Sequence, residues 1–136
     1  MPSAAQINEA LLGYDRLYGL RLVELSESEA HGEVDVREQL KQPMGLVHGG
    51  VYASIAESLC SIATALAVAQ EGNVAVGMAN HTSFLRPILD GTVHAHATRV
   101  HRGRTTWLWD VRFSDDRDRL CALTRMTIAV RPMPPG

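Results

Sequence analysis

The chain has 136 residues, of which 46% are apolar and 21% charged, and its formal net charge is −2. That is enough for one domain with its own core, and it is the composition of an ordinary globular protein. The charge argues against a nucleic-acid binder, and two distant cysteines without Cys or His at ligand spacing argue against a disulfide framework or a zinc site.

No basic segment followed by an apolar one opens the chain. No apolar run looks long enough and free enough of Glu and Ser to span a membrane. The expectation is therefore a cytoplasmic protein, with Cys60 and Cys121 as reduced core or site-lining thiols. The charge is uneven: from Arg86 onward there are nine Arg and five acids, and before it four Lys or Arg and ten acids. A small anion would favour the second half.

Residues 4–13 predict a short helix with Ile7, Leu11 and Leu12 on one side and Gly13 at its end. Residues 17–28 and 29–38 alternate apolar and polar residues, as half-buried strands do. Gln42-Pro43-Met44-Gly45 is a break. A helix rich in Ala and Leu follows from about Gly50 to Gln70, stopped by Gly72-Asn73. The period then changes to two, and four long strands follow, separated by Pro87–Gly91, Gly103 and Asp115–Asp118. The Pro-rich tail extends no strand. Four consecutive strands joined by short turns favour an antiparallel sheet. The expected architecture is α+β, with one sheet curled around one helix.

At 100° per residue, Val51, Ile55, Leu59, Ile62 and Leu66 form one apolar stripe that should face the sheet. Glu57 lies roughly 160° from Ile55 and Leu59. Around it fall Gly50, Ala53, Cys60, Ser61 and Thr64, small residues rather than the Lys, Gln and Arg of a solvated face. The spacing therefore predicts that a partner covers this face, a second copy of the helix across a twofold axis.

From position alone, Glu57 reads equally as a solvated or ion-paired acid and as a site residue. The His48-Gly49-Gly50 turn favours the second. A helix start presents free N–H groups and the positive end of the dipole, and glycine lets a substrate atom come close. A carbonyl oxygen held there is polarised, as in an oxyanion hole. Together with a carboxylate two turns on, this is a kit for acyl-group hydrolysis. His48 reads equally as a capping residue. His81 reads as structural, and Trp107 and Trp109 as core or interface. His94, His96 and His101 alternate along one strand without carboxylates or thiols at ligand spacing, so no metal site is expected.

Several motifs then resemble one family. They are Gln42-x-x-Gly45-Leu46-x-His48-Gly49-Gly50, Ala56-Glu57-Ser58, Asn80-His81-Thr82-Ser83-Phe84-x-Arg86-Pro87 and Gly103-x-Thr105-Thr106-Trp107-x-Trp109-Asp110. In this order and spacing the chain resembles the hotdog-fold acyl-CoA thioesterases, most of all the Arthrobacter-type 4-hydroxybenzoyl-CoA thioesterases. The resemblance implies a five- or six-stranded antiparallel sheet around a long central helix. It also implies dimers with continuous sheets that pair into a homotetramer.

By position, Glu57 matches the catalytic carboxylate, as nucleophile or general base. The Gly49 N–H matches the group that polarises the thioester carbonyl. Gln42 and His48 match residues shaping the site, and Ser61 matches a hydroxyl that positions water or the aromatic ring. Arg86, Arg104 and Thr105 fall where the family binds CoA. No cofactor is implied. Thioesterases for 1,4-dihydroxy-2-naphthoyl-CoA or phenylacetyl-CoA are the alternatives within this class. A non-catalytic acyl-CoA-binding module is the alternative outside it.

Overall fold

The computed structural model describes all residues, 1–136. A helix α1 (Ala4–Ala10) and a helix α2 (Gly13–Tyr18) precede strands β1 (Arg21–Leu25) and β2 (Glu29–Asp35). The long helix α3 (Gly49–Val68) follows, extended by a 3₁₀ turn over Ala69–Glu71. Four strands complete the chain: β3 (Asn73–Phe84), β4 (Thr92–Arg102), β5 (Thr106–Ser114) and β6 (Leu120–Pro132). All six strands join one antiparallel sheet in the order β1-β2-β4-β5-β6-β3. The sheet curls around α3, which touches strands β2 to β6. This is the hotdog fold.

The N-terminal segment departs from expectation. Ser3 and Gln6 form a reciprocal cap that starts α1, but this helix ends at Ala10. Asn8 then holds it to the sheet edge, its amide donating to the Leu22 carbonyl (2.8 Å) and accepting from the Leu22 N–H (2.7 Å). Gly13 opens α2 instead of closing α1, and the strand expected from residue 17 starts only at Arg21. The reason is a tertiary contact. Tyr18 is buried on α3, and Asp15 accepts from the Tyr18 hydroxyl (3.1 Å) and the Ser58 hydroxyl (2.5 Å). Alternation in the sequence cannot report such a contact.

Helix α3 shows a second departure. Val51, Ile55 and Leu59 are buried as expected, while Ile62 and Leu66 are half-buried at the margin. Cys60 and Thr64, placed by the wheel on the partner-facing side, are fully buried in the chain's own core. The Trp109 indole N–H donates to Thr64 Oγ1 (3.0 Å), and that hydroxyl donates to the Cys60 carbonyl (2.7 Å). A sheet that wraps a helix covers more than one stripe. The small residues there make room for Trp107, Trp109 and Phe113 of β5, which fill the core. Residues 49–71 also reach the length and hydropathy (1.6) of a membrane span, contrary to expectation. Here the sheet supplies their apolar surroundings.

Strand β3 is the long free edge. Val76 and Met78 lie exposed on it, and its pairing with β6 shifts between Gly77 and Ala79. An unpaired edge of 12 residues with apolar side chains is a template for another strand.

Candidate active site

The start of α3 is built by a tight loop. Gly45 adopts φ +88°, a conformation that favours glycine, and its N–H donates to the Gln42 carbonyl (2.9 Å). The Gln42 side-chain carbonyl accepts from the Met44 N–H, so its NH₂ group remains unpaired. Val47 N–H donates to Ile88 O (2.8 Å) and His48 N–H to Leu40 O (2.9 Å), which locks the loop to the body.

His48 is the N-cap of α3. Its Nδ1 accepts from the Gly50 N–H at 2.8 Å, so the neutral ring carries its proton on Nε2. The Gly49 N–H has no acceptor in the chain. It is a free donor at the positive end of a 20-residue helix. Glycine here also leaves room for a neighbour: a Cβ at position 49 would lie 2.7 Å from Cζ of Phe84, and the ring or the helix start would have to shift.

A cavity of about 530 Å³ opens at this point. Met44, Leu46, Val47, Tyr52, Phe84 and Leu85 make apolar walls, and Gln42, Gly49 and Arg86 lie at its polar edge. The Tyr52 and Phe84 rings are 6.0 Å apart and tilted. Burial pushes the Tyr52 phenol up to about 12, so it stays a neutral wall. Cys121 lines the floor, where burial raises its thiol pKa. Its carbonyl accepts from the Leu85 (2.9 Å) and Arg86 (3.0 Å) N–H groups, which fixes the segment bearing Arg86. Both cysteines are free thiols.

Glu57 is exposed, and it makes no ion pair or hydrogen bond in the chain. It rests against the edge strand, with Oε1 3.0 Å from where a Cβ on Gly77 would stand. Next to it, Asn80 of β3 donates to the Ala53 carbonyl (2.9 Å). Ser61, one turn further on, is half-buried. Ser58 instead turns to Asp15.

The predicted residues do not all meet within one chain. Gln42, Gly49 and Arg86 share the cavity, and His48 caps the helix beside it. Glu57 does not line it. Eight residues separate Gly49 from Glu57, about 12 Å along a rigid helix. Arg104 and Thr105 sit on the β4–β5 turn, near the start of β3, where the Val130 N–H donates to Thr105 O (2.9 Å). Arg86 follows the other end of β3, about 30 Å away at strand rise.

The histidine series has carboxylates beside it that the sequence spacing did not show. His94 pairs with Asp116 (2.8 Å) and His96 with Glu29 (3.2 Å) on the outer sheet face. A bulge between Arg99 and His101 breaks the alternation before His101. Trp107 and Trp109 are core. Sequence reasoning gave no role to Tyr52, Phe84 or Leu85 as cavity walls. Tyr52 could have been found one turn after Gly49, and Phe84 by its place at the end of the edge strand.

A sheet wrapped around one helix, with a free N–H at the helix start opening on an apolar cavity, is the hotdog architecture. Residues 44–122 match the thioesterase superfamily, and the chain belongs to it. It is 42% identical over 111 residues to Rv1847 of Mycobacterium tuberculosis, an esterase by name, covering 80% of this chain and 79% of that one. It is 29% identical over 120 residues to the 1,4-dihydroxy-2-naphthoyl-CoA hydrolase of Listeria monocytogenes, covering 88% and 97%. Its fold matches a mutant of the thioesterase PA1618 of Pseudomonas aeruginosa with a TM-score of 0.92 and 33% identity, over 98% of this chain and 96% of that one. The protein is a thioester hydrolase.

Proposed function

We propose that the protein hydrolyses an aromatic acyl-CoA to the free acid and CoA, with 4-hydroxybenzoyl-CoA or a close benzoyl relative as lead substrate. The observation that carries this reading is the unpaired Gly49 N–H at the mouth of a cavity walled by Tyr52 and Phe84. An aroyl thioester is flat, because its ring conjugates with its carbonyl. With the carbonyl oxygen on Gly49 N–H, the ring would lie along these two aromatic walls.

The reaction needs a second copy of the chain. An antiparallel pairing of two β3 edges about a twofold near their midpoint would carry the partner's Glu57 toward Gly49. It would also bring the partner's Arg104 and Thr105 toward Arg86. Dimers formed this way would pair into the homotetramer. The Glu57 carboxylate then either attacks the thioester carbon, giving an acyl–Glu57 anhydride that water afterwards hydrolyses to the free acid and the restored carboxylate, or removes a proton from a water that attacks that carbon. In both cases the C–S bond breaks and CoA leaves as thiolate. The oxyanion formed on the way accepts from Gly49 N–H. Gln42, through its free NH₂, and Ser61 are suited to orient the ring or the water. The forked charge of Arg86 and Arg104 suits the CoA phosphates. The proposed site is cytoplasmic and uses no cofactor.

The Listeria relative supports a second reading, 1,4-dihydroxy-2-naphthoyl-CoA as substrate, and the cavity is roomy for a single ring. Free-thiol release from a panel of aromatic and straight-chain acyl-CoAs decides between them. The highest kcat/KM is expected for 4-hydroxybenzoyl-CoA. A higher value for the naphthoyl ester would establish the second reading. A preference for straight chains would overturn both.

A further inference from the structure

Arg104 and Thr105 leave the β4–β5 turn with exposed side chains, and Arg104 has no ion pair or hydrogen bond in the chain. The turn beneath them is held from several sides. Gly103 N–H donates to Thr106 O (2.9 Å), and a Cβ at Gly103 would lie 2.5 Å from that oxygen. Thr105 O accepts from the Val130 N–H (2.9 Å) and from Arg131 Nη1 (2.8 Å). Arg102 completes the frame. Its guanidinium lies 4.9 Å from the ring centre of buried Trp107. Its two terminal nitrogens reach Glu27 in the β1–β2 turn (3.1 Å) and Glu71 at the end of the helix (3.1 Å). Arg99 stacks on the same indole at 5.0 Å and donates to the Glu27 carbonyl (2.8 Å).

Two arginines close together would both be expected to attract phosphate. Their surroundings differ. Arg102 has its charge met by two carboxylates and its face covered by an indole, whereas Arg104 is left free on a rigid turn. We infer that Arg102 is a positioning residue: clamped by Trp107, Glu27 and Glu71, it holds the turn so that Arg104 and Thr105 present a preformed anion site to the nucleotide end of CoA. This rests on the reading that Arg104 and Thr105 meet CoA. An unclamped turn would have to be ordered at each binding event, at a cost in affinity.

The test uses the full-length protein and two esters of the best acyl group from the panel: the CoA ester and the N-acetylcysteamine ester, which lacks the nucleotide. Arg104→Ala is expected to raise KM for the CoA ester roughly tenfold or more, the loss of a hydrogen-bonded charge contact. Arg102→Ala is expected to raise it by a smaller factor, roughly three- to tenfold. In Arg102→Ala the KM for the short ester stays at its wild-type value, and in Arg104→Ala the rise in KM is larger for the CoA ester than for the short ester. Glu71→Gln, which removes one negative charge from the clamp and leaves the indole stack, shifts KM in the same direction by less. Calorimetric titration with CoA alone carries the same comparison without turnover. If Arg104→Ala weakens CoA binding and Arg102→Ala does not, the clamp is wrong and the CoA reading stands. If Arg104→Ala changes nothing, the CoA reading falls and takes the clamp with it. If Arg102→Ala raises KM equally for both esters, it perturbs the protein generally, and the positioning role is overturned.

Discussion

Replacing Glu57 with Ala is expected to lower kcat by about 10³-fold or more, whether the carboxylate acts as base or as nucleophile. The fold should be little affected. Glu57 is exposed, pairs with nothing and rests on the edge strand beside Gly77, and surface positions of this kind usually change stability by under about 0.5 kcal/mol. Thermal unfolding and oligomeric mass measured beside kcat separate loss of chemistry from loss of structure. A variant that keeps most of its turnover would place the reaction elsewhere. Single-turnover hydrolysis in ¹⁸O-labelled water, with rapid-quench trapping of any acyl-enzyme, then distinguishes the two roles. Label in the Glu57 carboxylate or a trapped acyl-enzyme marks an anhydride, and label in the product alone with no trapped acyl-enzyme marks a water activated by base.

Gly49→Ala is expected to be nearly as damaging for a different reason. The added methyl would lie 2.7 Å from Phe84 Cζ and 2.8 Å from its Cε1, inside contact distance. One of the two must move: either the Phe84 ring, which walls the cavity, or the helix start that carries the free N–H proposed to polarise the carbonyl. Loss of one such donor costs about 10²–10³ in kcat. Phe84 is 60% exposed at a strand end, so a smaller side chain there is tolerated. The double variant Gly49→Ala/Phe84→Ala should therefore recover part of the kcat lost by the single one. With Phe84→Ala alone as the reference for the lost wall, absence of any recovery would show that the methyl blocks the substrate itself rather than clashing with the ring.

Much of this arrangement was legible in the sequence. The change of period after Gly72 marks four strands, and the Ala- and Leu-rich run marks the central helix. The His48-Gly49-Gly50 turn marks the helix start and its free donor. Local pattern failed where distant contacts decide. Asp15 and Ser58 are 43 residues apart, yet their hydrogen bond settles α2 on α3. Thr64 follows Glu57 on the helical wheel but points at Trp109, because a curled sheet covers an arc that a single stripe cannot describe. The separation of Gly49 from Glu57 is simple arithmetic on a helix. The edge strand against which Glu57 lies could be read only from the topology, whereas a second copy of the chain was already expected from the small residues around Glu57.

Gly49 and Glu57 ride on one stiff helix, so no loop movement within a chain can bring them to the same carbonyl. This has a genetic consequence. If each site draws its donor from one subunit and its carboxylate from another, two alleles that are each dead, one at Gly49 and one at Glu57, will complement when expressed together. In a mixed dimer one site inherits both lesions and the other inherits neither.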